Sequence, residues 1–226
     1  LSGQMNLLLH PNYMWLAYSA GFFLLGLGAI KIIQTVIRII LRSPRPAEQL
    51  QHLALIPPGL SSLILLGTAL FGLQFTPQPF ASQMALDRGV TESLTLTRSQ
   101  PQAFRAAIKP ESRSLIDWIR TLNVYPEPDA YAGQKVNVEG FVIHLPDLPD
   151  SYLGIARFVI TCCAADAYPV GLPVKLSAGD RSAYPPDKWF QVQGEMITET
   201  LNEKRQLVIK ADKLTGIPTP TNPYAS

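Results

Sequence analysis

The sequence predicts two transmembrane helices followed by a mostly-β, OB-like small barrel with one preceding amphipathic helix, an α+β architecture. Three observations carry this. Residues 13–30 and 53–75 form runs of 18 and 23 residues without a charge, the lengths a bilayer-crossing helix needs. Between residues 115 and 122, apolar side chains recur at helical spacing. The portion after residue 134 breaks into five short β-rich segments, two of them interrupted by glycine.

The first run carries Tyr13, Trp15 and Tyr18 at one end, where an interfacial aromatic belt belongs. Gly21, Gly26 and Gly28 offer small surfaces for close packing against another helix. No basic n-region precedes it, which argues against a signal peptide. Ile32, Ile33, Val36, Ile39 and Ile40 continue a helical stripe past Lys31, so the helix is expected over 13–41 with its basic residues snorkelling. Ser43-Pro-Arg-Pro46 breaks it. The second run opens on Pro57-Pro58, at the helix start where proline is tolerated best.

The first 75 residues contain only five charges, Lys31, Arg38, Arg42, Arg45 and Glu48, which leaves 15 basic and 16 acidic residues for the rest. Such a near-neutral C-terminal portion argues against nucleic acid as a partner. The basic segment lies between the two runs, so the positive-inside rule puts the connection in the cytoplasm. The expected localisation is the cell (inner) membrane, multi-pass, in contact with the lipid bilayer. Both termini and the C-terminal domain are then extracytoplasmic. The division read from this is a membrane hairpin at 1–75 (helices 13–41 and 53–75), an extracytoplasmic linker at 76–111, and the β domain at 112–226.

In the β domain, Ser112 or Ser114 can cap a helix whose apolar face is Leu115, Trp118, Ile119 and Leu122. Strands are expected at 135–145, 155–162, 172–176, 189–197 and 207–214, with a hairpin turn at 201–205. Gly140 and Gly194 fall inside strands one and four, where closure of a small barrel needs sharp bends. Trp189 reads as a core anchor.

The two cysteines of the chain, Cys162 and Cys163, are adjacent and are followed by Asp166. Three readings stay open. Thiolates and imidazole bind soft or borderline metals such as zinc, and Cys162, Cys163, Asp166 and His144 are the available ligands. Cys-Cys-x-x-Asp departs from the usual zinc spacing of Cys-x₂₋₄-Cys. A vicinal disulfide would be strained and labile, because neighbouring Cα atoms lie about 3.8 Å apart whereas disulfides prefer about 4.4–6.8 Å. The third reading is two inert, buried thiols. Arg157 can pair with Asp166 or Glu139. No Ser-His-Asp order, phosphate-binding glycine loop or paired catalytic carboxylates are evident, so no catalytic residue is expected and the chain is read as non-enzymatic.

The stretches Gly133-Gln-Lys-Val-Asn-Val-Glu-Gly-Phe-Val142, Arg157-Phe-Val-Ile-Thr-Cys-Cys-Ala-Ala-Asp166, Pro169-Val-Gly171, Trp189-Phe-Gln-Val-Gln-Gly194 and Asn222-Pro-Tyr224 resemble the YcgQ-type family. Its members are two-span permease subunits with a C-terminal domain of unknown function. The resemblance covers the two-span layout and nearly all of 112–224. It implies a multi-span permease partner of the type grouped with exporters of small metal- or metalloid-containing solutes.

The function expected is an accessory subunit of such a permease, with an extracytoplasmic domain that binds or senses a small solute or metal ion. The alternatives are a stand-alone thiol redox or metal-handling membrane protein, and a structural assembly factor of a membrane complex.

Overall fold

The computed structural model describes residues 4–41, 58–74, 78–90 and 109–224. They divide into two compact units, Leu1–Gln78 and Pro79–Ser226.

In the first unit, α1 (Met14–Ile40) follows two 3₁₀ turns, Gln4–Leu7 and Pro11–Tyr13. No residue of α1 is buried in the protein. The continuous stretch Pro11–Ile40 is, among the described residues, the one helix long and apolar enough to cross a membrane. Ser19 and Thr35 donate their hydroxyls to the carbonyls of Trp15 and Lys31 one turn back, which satisfies polar groups that an apolar solvent would leave unpaired. Over the described residues the second helix, α2 (Pro58–Gln74), covers 17 residues, about 26 Å at 1.5 Å per residue. Residues 53–57 and 75 of its uncharged run lie outside the described residues. The expectation of two spans thus reduces here to one helix of spanning length and a shorter apolar companion.

In the second unit, α3 (Ser82–Asp87) precedes α4 (Leu115–Val124) and the strands β1 (Lys135–Ile143), β2 (Tyr152–Val159), β3 (Tyr168–Lys175), β4 (Trp189–Leu201) and β5 (Lys204–Ile217). Ser114 caps α4: its hydroxyl accepts from the Asp117 N–H, and the Asp117 carboxylate accepts from the Ser114 N–H. This reciprocal arrangement satisfies two orphan donors of the first turn. The face carrying Leu115, Trp118 and Ile119 is buried and shares one apolar core with Val136, Leu153 and Ile209 from the strands.

The strands follow the order β1-β2-β3-β5-β4, and β4 returns to pair with β1, so the sheet closes into a barrel. β3 and β5 pair in parallel, and the other neighbours are antiparallel. Gly140 and Gly194 sit where backbones approach closely. A Cβ on Gly140 would lie 2.6 Å from the Ala156 carbonyl oxygen, and one on Gly194 would lie 2.0 Å from that of Lys210. The second falls at a register shift between Gln193 and Gly194, a bulge of the kind that bends a strand. Asn202 and Glu203 close the β4–β5 hairpin at φ of 49° and 63°, the left-handed conformation a two-residue hairpin loop requires.

Strand ends differ from the sequence expectation in instructive ways. β2 spans Tyr152–Val159, so Cys162 lies beyond the strand rather than at its end. Pairing with β3 stops at Val159 and Tyr168, and the chain must turn between them. Ile160 is buried all the same, which is why the apolar run overstates the strand. β4 and β5 run several residues past the expected limits because they pair with each other along their whole length, and that pairing does not require apolar residues on the solvent side.

Within the segment expected to be linker, residues 79–90 pack on the β unit. Ser82, Ala85 and Val90 are buried, and Phe80 lies 4.9 Å and 5.6 Å, between ring centroids, from Phe158 and Tyr224. Trp189 is buried and meets Phe141 edge to face at 6.0 Å, as expected of an anchor.

Candidate functional site

The connection between β2 and β3 holds both cysteines. Ile160 anchors its start, Cys163 is extended (φ −151°, ψ 171°), and Ala164–Asp166 forms a single 3₁₀ turn. Asp166 folds the loop back on itself. Its carboxylate oxygens accept the backbone N–H of Cys162 at 2.9 Å and of Cys163 at 3.2 Å, while its own N–H donates to the Cys163 carbonyl at 3.1 Å. A carboxylate is the one short side chain that can accept from two successive amides and still keep free lone pairs.

The result is a cluster of two thiol sulfurs and one carboxylate oxygen, all within 4.8 Å of one another. Neither cysteine is in a disulfide, and Cys162 is exposed. The hydrogen bond from the Cys162 thiol to the Asp166 carboxylate, with a further one involving Cys163, pushes the Cys162 thiol up to about 11. Partial burial works to raise the Asp166 carboxyl, but hydrogen bonds from the loop amides and from the Cys162 thiol hold it below its ordinary value overall. At neutral pH the site is therefore a protonated thiol beside an ionised carboxylate. A thiol so protected is a poor nucleophile. It becomes a donor when a cation displaces its proton.

The donor set suits a soft or borderline ion such as zinc. With Zn–S about 2.3 Å, sulfurs on a tetrahedral site lie about 3.8 Å apart, so the two sulfurs, within 4.8 Å of each other, need to approach by at most about 1 Å. Three protein ligands leave a fourth position open, as in zinc sites that exchange ligands.

His144 does not join this cluster. It follows Ile143, which pairs with Gly154 near the start of β2, whereas the cysteines follow Val159 at the other end, about 17 Å away along the strand. Its Nε2 lies 2.8 Å from the Tyr184 carbonyl oxygen, a structural contact. Arg157 pairs with neither expected partner among the described residues. It is buried, with its guanidinium 5.3 Å from the Trp189 ring centroid and Nε without a hydrogen-bond acceptor. Burial lowers its pKa, and the charge of Glu139 opposes that shift.

The contact that sequence reading missed is Arg88. Its Nη1 donates to the carbonyl of Ala167, directly after Asp166, and its guanidinium lies 5.2 Å from the Phe80 ring centroid. A lone arginine in a polar segment gives no sequence signal of this role, because its acceptor is a backbone carbonyl 79 residues away.

This loop and the whole barrel fall within one family match. The model of the DUF1980 C-terminal domain covers residues 97–225. The chain belongs to the DUF1980 family. The DUF1980 C-terminal domain thus contains the whole Cys162–Asp166 cluster, α4 and all five strands, but not Arg88. No curated protein matches the chain. Among solved structures it is similar to a DUF3299 family protein from Pseudomonas aeruginosa PAO1, at 15% identity and a TM-score of 0.28. That match covers 39% of this chain and 64% of the other, less than two thirds of its length. At this TM-score the likeness extends to neither fold nor function.

Proposed function

We propose that the protein is a membrane-anchored subunit whose β domain binds a soft or borderline metal ion, such as zinc, through Cys162, Cys163 and Asp166. The observation that carries this is the convergence of two free thiols and an ionised carboxylate within 4.8 Å on an exposed loop. Inert core thiols are buried among apolar groups, whereas Cys162 is exposed beside a carboxylate. The raised Cys162 thiol disfavours a nucleophilic redox role at neutral pH.

The setting proposed is an accessory subunit of a multi-span permease, as the YcgQ-type resemblance implies, with the domain on the extracytoplasmic side. Two spans are supported by the uncharged runs and by the basic residues between them. An OB-like classification is supported by the strand order with β3 parallel to β5.

The test is titration of the reduced full chain, in mild detergent, with zinc or cadmium. The expected result is one ion per chain with protection of both thiols from alkylation, abolished in the Cys162→Ser/Cys163→Ser variant. Thiols that alkylate at the same rate with and without metal would overturn the metal reading. A pull-down from native membranes should recover a multi-span permease, and recovery of none would remove that part of the proposal.

A further inference from the structure

We propose that Arg88 is a positioning residue for the metal site, and that through it the cysteine loop is linked to the segment that follows the membrane helices in the chain. This rests on the metal reading above. Among the described residues, Arg88 supplies the one side chain from outside residues 160–167 that hydrogen-bonds to this loop, and its acceptor is the carbonyl directly after Asp166. The same guanidinium rests on Phe80. The Phe80 ring packs on Phe158 of β2, and the Phe80 N–H donates to the Tyr224 hydroxyl at 3.2 Å. Two residues on, the Ser82 N–H donates to the Asp187 carboxylate. Residues 79–90 therefore form a strap with one end fixed on the barrel and the other on the cysteine loop. The strap begins five positions after Gln74, the last residue of α2.

Closing two thiols and a carboxylate around an ion requires the cluster to contract, and part of that movement falls on the backbone of the loop, because the Asp166 carboxylate is tied to the amides of Cys162 and Cys163. The Ala167 carbonyl moves with it, and Arg88 is bonded to that carbonyl. Partners that hydrogen-bond metal ligands directly commonly change affinity by about 10–100-fold when removed, and Arg88, bonded one residue beyond Asp166, belongs at the low end of that range. Binding should accordingly tighten the strap, and a loosened strap should weaken binding.

The experiment is hydrogen exchange on the full chain in mild detergent, with and without zinc, for the wild type, Arg88→Ala and Arg88→Lys. In the wild type, zinc should slow exchange of the Phe80 and Ser82 amides. Arg88→Ala should bind zinc at least about tenfold more weakly and lose that slowing, while Arg88→Lys, which keeps a cationic donor, should restore part of both. A purely structural Arg88 would change basal exchange but not its response to zinc. Zinc binding with unchanged exchange at 79–90 in the wild type overturns this inference and leaves the metal site standing. An absence of zinc binding in the wild type overturns the metal reading and this inference with it.

Discussion

Two demands compete for the oxygens of Asp166, the loop amides and the Cys162 thiol. Removing the charge while keeping the shape should relax the second. In Asp166→Asn the Cys162 thiol is expected to fall from about 11 toward its ordinary value of 9.0, so the pH profile of its alkylation moves down. An unchanged profile would show that Asp166 does not set it. The wild-type sign also follows. The folded-state thiol is raised, so its contribution to stability is fully present below the unfolded thiol pKa near 9 and is lost as pH climbs toward 11. Thermal melts should drop across that window, and Cys162→Ser should flatten the drop. Arg157 is a different case. Its buried Nε has no acceptor, so Arg157→Met removes an uncompensated polar group. Its melting temperature is expected to equal or exceed that of wild type, and a marked loss would mean that the guanidinium contact with the Trp189 ring outweighs the unmet Nε.

At the scale of elements, the β4–β5 hairpin is the longest in the barrel, and its bend at Gly194 lets β4 pair with β5 and with β1. A methyl group there would meet the Lys210 carbonyl at 2.0 Å. The backbone must move, and Gly194→Ala should destabilise the domain by about 1–3 kcal/mol, read as a lower denaturation midpoint. Wild-type stability in this variant would mean that the bulge can relax freely. The β2–β3 connection shows the opposite economy. Eight residues suffice to reverse the chain, bury Ile160 and place three donors together, because one carboxylate replaces the amide partners that a strand would have supplied.

For the whole molecule, the β unit begins at Pro79 rather than at α4. The strap buries Ala85 and Val90 completely, and Phe80 joins the aromatic cluster with Phe158 and Tyr224. A fragment starting at residue 79 should melt cooperatively. One starting at residue 112 should be less stable by roughly 3 kcal/mol, from the apolar surface it exposes. Equal stability of the two fragments would contradict this boundary.

Much of this architecture was legible from local pattern. The uncharged run of α1, the apolar face of α4, the existence of all five strands and the bending glycines each depend on residues close in sequence, where helical or alternating periodicity records which side meets the core. So were three of the four candidate donors, since adjacent cysteines followed by an aspartate are read directly from the chain. The partners were not legible. Cys162 leaves the strand because β2–β3 pairing stops at Val159, His144 lies at the far end of β2 because of the β1–β2 register, and Arg88 reaches Ala167 across 79 residues. Register and long-range contact are set by the closure of the whole sheet, where a shift of one residue exchanges its two faces, and no short stretch of sequence contains that information. The sequence by itself determined which thiol, carboxylate and imidazole groups the domain carries; only the tertiary structure decided which of them meet and what holds them together.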